Sequence, residues 1–373
     1  MRVALEIGAR RAPNRRLTDD FPIRPEFASV CFELSPDAEE RCIMPSKSIA
    51  DRIPTSFDTC FQRSYAVEAP DMRRLYENAK RDQWNASKDI DWTTNVDPER
   101  GIFANELIDG HGTPTLDRLD PKTFQQLNIE FSCWRLSQLL HGEEGAMLAC
   151  SQLVDMVPGN DAKFFQATQV VDEARHTEVL SRYLLEKCDG KIYPITGNIK
   201  TLFDYILGQG KWFIKTVGLQ LLAETFAVSL FRMLMETAKD PLLREICRRI
   251  LADESRHMGF SVLSLPDEIR GLSSGDLHEL EDFTREALIL IMKGQFPVEA
   301  YEAVGMGAAE IEEIRHARKQ IALGSEYALF RKLFRREMHQ TVVTNMQKVG
   351  LLNERTSSFM REMGIDTNLA AAA

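Results

Sequence analysis

Residues 171–176 read Val-Asp-Glu-Ala-Arg-His, and residues 252–257 read Ala-Asp-Glu-Ser-Arg-His. The two segments share the pattern Asp-Glu-x-Arg-His at an offset of 81 residues (254 − 173). On a helix, the Glu and the His of each copy lie three positions apart and therefore share one face. The alternative is a pair of surface contacts on solvated helices, but a duplicated five-residue context seldom arises by chance. The repeat predicts two helices that each present a carboxylate and an imidazole to one site.

A further glutamate precedes each copy of the repeat by the same distance. The two pairs, each 30 residues apart (173 − 143 and 254 − 224), are Glu143 with Glu173 and Glu224 with Glu254. On one straight helix, 30 residues would separate two carboxylates by roughly 45 Å. A turn at Pro158-Gly159-Asn160 lies midway in the first pair, and Pro241 lies midway in the second. Folding back at these turns would bring four carboxylates and two imidazoles to one level of a four-helix bundle.

This inventory is the ligand set of a dinuclear iron or manganese site, in which two helices each provide a Glu and two others each provide Glu-x-x-His. The predicted ligands, and through the metals the predicted catalytic residues, are Glu143, Glu173, His176, Glu224, Glu254 and His257. Carboxylate and imidazole suit iron and manganese, and we expect two iron ions, or manganese at one position, with O₂ as co-substrate. Asp172 and Asp253 are natural acceptors for the imidazole N–H groups, and Arg175 and Arg256 balance the charge around them.

Glu143 competes with its neighbour Glu144 for the ligand position on the first helix. The stripe through Glu143 is apolar and contains Leu136, Leu139, Leu140, Ala146, Met147 and Cys150. Glu144 instead shares a face with Ser137, His141 and Ser151. An apolar stripe faces the core, so Glu143 is the predicted ligand, and His141 is expected at the surface or an interface. Met147 and Cys150 are expected in the core or beside a substrate pocket.

Composition excludes several classes of protein. With 373 residues, 44% apolar and 27% charged, the chain is neither disordered nor a disulfide-stapled miniprotein. Its longest apolar stretch, 213–235, contains Lys215, Gln220, Glu224 and Arg232, which argues against a membrane span. The net charge of −10 argues against nucleic-acid binding. Seven scattered cysteines without a Cys-x-x-Cys motif indicate reduced thiols, and no secretory signal is visible, so we expect a cytoplasmic protein.

Proline placement divides the chain, because ten of its fifteen prolines lie at or before Pro121. The spacing of the others predicts long helices at 122–156, 162–187, 199–238, 242–264, 276–294 and 298–348, the last broken near Gly305–Gly307 and Gly324. The expected fold is all-α, a ferritin-like four-helix bundle with extra C-terminal helices and a mostly irregular N-terminal segment. The expected parts are an extension (1–120) packed on the bundle through Trp84 and Trp92 or forming a lid, the di-metal core (121–265), helices completing the same domain (266–370), and a probable cloning remnant (371–373).

These motifs resemble the ferritin-like non-haem di-iron carboxylate superfamily. Within it, Gly142-Glu143, Asp172–His176, Glu224 and Asp253–His257 look most like the O₂-activating oxygenases, namely the catalytic subunits of bacterial multicomponent monooxygenases and the p-aminobenzoate N-oxygenase type. The resemblance covers roughly 125–265 and implies the six metal ligands given above. Ile250 stands where the N-oxygenases have a further histidine, which argues against N-oxygenation. Leu180 stands where ribonucleotide reductase small subunits have a radical tyrosine, which argues against that role.

The leading interpretation is an O₂-dependent di-iron oxygenase or oxidase that hydroxylates, N-oxygenates, desaturates or cleaves a small organic substrate. The alternatives are a radical-generating or ligand-binding oxidase of the reductase-small-subunit type, with an Fe/Fe or Mn/Fe site, and a non-catalytic iron-handling protein. Because the sequence contains neither a Gly-x-Gly-x-x-Gly motif nor a cysteine cluster, we expect an external ferredoxin or reductase as electron donor. The basic run at 331–336 is a candidate docking patch for it, and a homodimer is expected.

Overall fold

A computed structural model describes residues 53–321 and 326–368, except for the side chains of 319–334. Within these residues the chain forms twelve helices and no strand. The helices are α1 (Pro70–Arg81), α2 (Pro114–Asp117), α3 (Pro121–Met156), α4 (Asn160–Lys187), α5 (Gly197–Leu207), α6 (Trp212–Thr237), α7 (Pro241–Gly271), α8 (Ser274–Met292), α9 (Val298–Ala303), α10 (Ala308–Ile321), α11 (Glu326–Val349) and α12 (Glu354–Glu362). The predicted all-α, ferritin-like bundle is confirmed.

Local sequence signals mark where the core helices α3, α4 and α7 begin. The side chain of Asp120 accepts hydrogen bonds from the first-turn backbone of α3, and that of Asp240 does the same for α7. In both helices proline follows the capping aspartate, where its missing N–H costs nothing. Between α3 and α4 the chain reverses at Gly159, whose φ of 81° lies in the region that glycine adopts without strain. These short connections make the helices of each pair antiparallel neighbours.

The apolar core is divided into two clusters by a polar level in the middle of the bundle. Along α3, residues up to Leu140 belong to one cluster and residues from Ala146 onward to the other, so the boundary falls at Glu143. On α4, α6 and α7 the same change of cluster brackets the remaining predicted ligands. The two apolar clusters therefore enclose the polar level from both ends of the bundle.

Two predicted helix boundaries are wrong. The helix expected at 199–238 is interrupted between α5 and α6, because Lys215 Nζ donates to the carbonyls of Ile206 and Leu207 (2.9 and 3.0 Å) and thereby ends α5. Pro266 was expected to stop a helix, yet α7 continues through it to Gly271. The buried side chains Leu265 and Ile269 offset the hydrogen bond that proline cannot make.

Helix α6 is long and apolar enough to span a membrane by length and composition alone, but 67% of its most apolar window is buried inside the bundle. Its middle turns, Val217–Ala223, form a π-helix that is almost wholly buried. Such π-helical turns occur mostly at functional sites. Here the widened turns directly precede Glu224, so α6 is a core helix that carries one of the predicted ligands.

We predict opposite stability effects for two glycine substitutions on α3. A Cβ at Gly145 would lie 2.6 Å from Cγ of the Phe203 ring, whereas a Cβ at Gly142 would meet nothing within 4 Å. Gly145→Ala should therefore lower the free energy of unfolding by about 1–3 kcal/mol through overpacking. Gly142→Ala should raise it by up to about 1 kcal/mol, because alanine favours the helix. Thermal unfolding followed by circular dichroism distinguishes them, and equal midpoints would contradict the predicted packing of α5 on α3.

Candidate metal centre

The structure brings all six predicted ligands together at the polar level of the bundle. One group of ligand atoms within 4.8 Å of one another comes from Glu143, Glu173, His176 and Glu254. A second such group comes from Glu173, Glu224, Glu254 and His257. Glu173 and Glu254 thus belong to both groups, and every member is at most 4% exposed. Two adjacent groups that share two carboxylates are the arrangement that a pair of metal ions requires.

Both imidazoles direct Nδ1 into the carboxylate cluster. His176 Nδ1 lies 3.0 Å from Glu254 Oε1, 3.2 Å from Glu143 Oε2 and 3.3 Å from Glu173 Oε2. His257 Nδ1 lies 3.1 Å from Glu173 Oε1 and 3.2 Å from Glu254 Oε2. Glu224 is more distant, with Oε1 4.0 Å from His257 Nδ1. The same ring atom of each histidine is therefore available to a metal.

The electrostatics of the cluster fit divalent cations. Burial raises the pKa of Glu143 to about 8 and raises that of Glu224 well above its ordinary value. Although burial opposes ionisation of Glu254 as well, the charge on His257 lowers its pKa to about 2. Glu173 Oε2 and Glu254 Oε1 face His176 Nδ1 at 3.3 and 3.0 Å but, among the described residues, accept no hydrogen bond of good geometry. Four buried carboxylates need positive charge, and two divalent ions would neutralise them and engage these two oxygens.

The two aspartates of the repeat hold the imidazoles crosswise. Asp253 Oδ2, on α7, lies 3.1 Å from Nε2 of His176 on α4. Asp172 Oδ2, on α4, lies 3.3 Å from Nε2 of His257 on α7. Each aspartate therefore orients the histidine of the other copy rather than its own. A carboxylate on Nε2 fixes the ring orientation and leaves Nδ1 as the ligand atom.

The arginines of the repeat join the two aspartates. Arg175 lies 2.5 Å from Asp172 Oδ1 and 3.1 Å from Asp253 Oδ2. Arg256 pairs with Asp253 and lies 3.6 Å from Asp172 Oδ2. All four side chains are at most 10% exposed. The two arginines thus balance the charge of the two aspartates, as expected, and the four side chains form a network of ion pairs between α4 and α7.

The segment before the bundle adds contacts that sequence reasoning missed. Trp84 Nε1 donates to Asp253 Oδ2 at 2.8 Å, and Gln83 Nε2 donates to Asp172 Oδ1 at 2.9 Å. Arg175 lies over the Trp84 ring, 4.9 Å from its centroid. Trp84 was expected only to pack this segment on the bundle or to act as a lid. No spacing rule in the sequence links either residue to the repeat, because the contact spans more than 85 residues.

Gln169 was also missed, although its position could have revealed it. Its Nε2 donates to Glu173 Oε1 (3.0 Å) and to Glu224 Oε1 (3.2 Å). Gln169 stands four residues before Glu173, and Gln220 stands four residues before Glu224, so both share a helix face with a predicted ligand. Gln220 Nε2 in turn donates to Gln169 Oε1 at 2.9 Å.

The remaining sequence assignments divide clearly. Glu143 is 4% exposed whereas Glu144 is exposed, as the helix-face argument predicts. His141 Nε2 contacts the carbonyl of Tyr193 at 2.9 Å, away from the metal ligands. Cys150 is a buried core residue. In the basic run, the side chains of 331–334 lie outside the described residues, while Arg335 and Arg336 are exposed.

A cavity of about 450 Å³ opens onto the cluster at Glu143 and Glu224. Its walls are mainly apolar and come from α3, α5, α6 and α8; they include Phe131, Leu139, Ala146, Phe203, Leu219, Ala227, Leu230 and Ile291. Four cationic side chains also line it, namely Arg135, Lys293, Arg318 and Arg335. This volume is within the range of cavities that hold small organic ligands. Neither Met147 nor Cys150 belongs to the lining.

Comparison with known proteins places the chain in a family. Residues 68–342 match the family model described as p-aminobenzoate N-oxygenase AurF. No curated protein sequence gives a significant match. Two solved structures of R2-like ligand-binding oxidase are similar in fold at 16% identity. A Tyr-to-Phe variant with an anaerobically reconstituted Mn/Fe cofactor has a TM-score of 0.51 over 78% of this chain and 99% of that chain. The oxidase with an aerobically reconstituted Mn/Fe cofactor after a long soak has a TM-score of 0.50 over 78% and 98%.

The crossed contacts predict that Asp253 controls metal affinity from a distance. Asp253→Asn removes the charge that orients His176 and should weaken Fe(II) binding about 10- to 100-fold. Asp267→Asn is the control, because Asp267 lies on the same helix with its side chain 89% exposed. Titration of the metal-free protein with Fe(II) under anaerobic conditions measures both. Equal affinities for the two variants would contradict the orienting role.

The metal-free protein should lose stability as the pH rises from 5 to 8. Glu143, with its pKa raised to about 8, keeps its proton in the folded state across a range where the unfolded chain has released it. The proton on Glu143 therefore contributes to the free energy of unfolding at low pH, and this contribution is lost as the pH rises through about 8. Glu143→Gln should flatten the slope of unfolding midpoint against pH, whereas Glu144→Gln should not. A wild-type midpoint that rises over this range would refute the prediction.

Proposed function

The chain belongs to the p-aminobenzoate N-oxygenase family, and we propose that it is a monooxygenase that inserts oxygen into a small organic anion. As a member of this family it is an O₂-dependent oxidoreductase of the di-iron type. The observation that carries the proposal is the junction between the buried ligand cluster and the apolar cavity at Glu143 and Glu224. A protein that only stores iron has no use for such a cavity beside its metals.

We propose that the two metals are held by six residues. Glu143, Glu173, His176 and Glu254 would hold one ion, and Glu173, Glu224, Glu254 and His257 the other, so that Glu173 and Glu254 serve both. Ile250 is fully buried among apolar side chains, which supports six ligands without a further histidine at that position. When bound, two iron ions, or one iron and one manganese, supply the electrons and open coordination positions that O₂ reduction requires.

The protein's own residues control what reaches this chemistry. The apolar walls at Leu139, Ala146, Phe203 and Leu219 exclude water from the ligand carboxylates on the cavity side. Ala223 and Glu224 both line the cavity, so a substrate atom in contact with Ala223 would lie beside a proposed ligand. Exclusion of water prevents the oxidant from being wasted in side reactions.

The charge of the cavity supports an anionic substrate. Arg135, Lys293, Arg318 and Arg335 carry four positive charges, whereas Asp109 is, among the described lining residues, the one acid besides the proposed ligands Glu143 and Glu224. Arg318 pairs with Asp109, and Lys293 and Arg335 are exposed cations at the edge of the lining. These cations would stabilise a carboxylate or similar group of the substrate, while the apolar body of the substrate fills the rest of the cavity.

We also propose an external electron donor, a cytoplasmic location and a homodimer. The donor is a ferredoxin or reductase, because the sequence carries no motif for a flavin, nicotinamide or iron–sulfur cluster. The cytoplasmic location is supported by the cysteines of the described residues, which form no disulfide, as is usual in a reducing compartment. In the proposed homodimer, exposed Leu148 and Val171 are apolar side chains that the contact between the two copies would cover. We propose that the donor docks on the basic run at 331–336 of α11, where Arg336 is an exposed cation.

The two neighbouring glutamates of α3 test the ligand assignment. Glu143→Ala should remove most O₂ consumption by the Fe(II)-loaded protein and reduce iron bound per chain, because it deletes a carboxylate from the cluster. Glu144→Ala should leave both values close to wild type, since that side chain is exposed. Iron content by elemental analysis and O₂ uptake with an electrode provide the measurements. If Glu144→Ala proved the more damaging change, the proposed site would be wrong.

A further inference from the structure

A second polar level lies one to two helical turns from the metal ligands, and four of its polar side chains do not line the substrate cavity. Helices α4 and α6 run in the same direction there, because Gln169 bonds Gln220 and, four residues further along each helix, Glu173 and Glu224 share one cluster. One turn before these glutamines stand Gln166 on α4 and Thr216 on α6. The cavity lining includes none of these four residues, namely Gln166, Gln169, Thr216 and Gln220.

The other two core helices contribute polar side chains at the same height. Seven residues beyond Glu143 on α3 is Cys150, and seven residues beyond Glu254 on α7 is Ser261, both fully buried. The stacked rings of Phe165 and Phe260, with centroids 5.5 Å apart, show that α4 and α7 meet at this height. We call the set Cys150, Gln166, Thr216, Gln220 and Ser261 the polar layer.

Several atoms of the polar layer lack partners in the part of the chain that the structure describes. They are Gln166 Nε2, Gln166 Oε1, Thr216 Oγ1 and Gln220 Oε1, and their residues are 0% exposed. Buried amide and hydroxyl groups cost free energy unless they are hydrogen-bonded. Because donors and acceptors both occur among them, the ligand that suits all four is one that can donate and accept. Water has this property, and buried waters typically make about three such bonds.

We propose that the polar layer binds ordered water and that this water supplies protons to the metal centre through Gln220 and Gln169. The link is continuous: Gln220 donates to Gln169, and Gln169 donates to both Glu173 and Glu224. Water next to Gln220 Oε1 is therefore separated from the ligand carboxylates by two amide side chains, those of Gln220 and Gln169. Each amide would take a proton at its oxygen and release one from its nitrogen, first from Gln220 to Gln169 and then from Gln169 to Glu173 or Glu224, and both would afterwards return to the ordinary amide form. The layer would hold water at Gln166, Thr216 and Gln220, none of which lines the substrate cavity.

The proton-supply role rests on the proposed function. Oxygenation of a substrate R–H to R–OH consumes O₂, two electrons from the external donor and two protons, and it releases one water molecule. The walls of the cavity nearest the ligands are apolar side chains such as Ala146, Leu219 and Ala227, which cannot donate these protons. A hydrated layer behind Glu173 and Glu224 would deliver them, and would accept the product water, without wetting the substrate.

The first test addresses water binding alone. A crystal structure of the metal-loaded protein at a resolution that reveals water should show ordered molecules at hydrogen-bonding distance from the Gln166 amide and Thr216 Oγ1. Gln166→Leu should lower the unfolding midpoint, because it deletes bonds to this water. As a control, Gln138→Leu should also lower it, since the Gln138 amide is bonded to Pro194 O and Thr196 N. A layer without water, or a midpoint that rises in Gln166→Leu, would overturn the proposal.

The second test addresses proton supply. The Fe(II)-loaded Gln166→Leu protein should bind as much iron as wild type but consume O₂ several-fold more slowly, with a changed H₂O/D₂O rate ratio. Gln166→Asn, which retains an amide, should recover part of the rate. Unchanged rates and isotope ratios in Gln166→Leu would overturn the proton role. A wild-type protein that binds iron and consumes no O₂ would overturn the oxygenase function and the proton role together, while the first test still decides whether the layer binds water.

Discussion

The structure depends on the stabilisation of four carboxylates and two imidazoles that are buried inside a helical bundle. Uncompensated, each buried carboxylate would cost several kcal/mol. The raised pKa values of Glu143 and Glu224 show the strain of keeping negative charge there without metals. Long helices with few interruptions are needed to place such a cluster far from solvent at both ends. The apolar clusters on either side supply the burial free energy that holds the level closed.

The crossed aspartates make the two helical pairs into one unit. If each Asp oriented the His of its own copy, α3–α4 and α6–α7 could separate without disturbing the rings. Because Asp253 contacts His176 and Asp172 contacts His257, neither ring is correctly held unless α4 and α7 are packed together. Trp84 extends this dependence to the segment before the bundle. Metal binding and tertiary packing should therefore be strongly coupled.

The bundle separates two environments across one row of ligands. The cavity beside Glu143 and Glu224 is largely apolar and bordered by cationic side chains. The opposite side carries Gln169, Gln220 and the orphaned amide of Gln166. The π-helical turns of α6 contribute to both, since Leu219 lines the cavity and Gln220 faces Gln169. Substitutions in the cavity walls can therefore change substrate selection without changing the residues that donate hydrogen bonds to the ligand carboxylates.

By itself, the sequence determined the helical bundle, the six converging residues and the preference for Glu143 over Glu144. These features follow from helical periodicity and from spacing between turns, which are local properties that a single chain displays. Only the tertiary structure decided the crossed pairing of Asp172 and Asp253, the contact of Trp84 and the shape of the cavity. Each depends on which residues distant in sequence become neighbours, and spacing contains no such information. The interruption between α5 and α6 belongs to this second group, because it is stabilised by the buried ammonium of Lys215 and not by a proline.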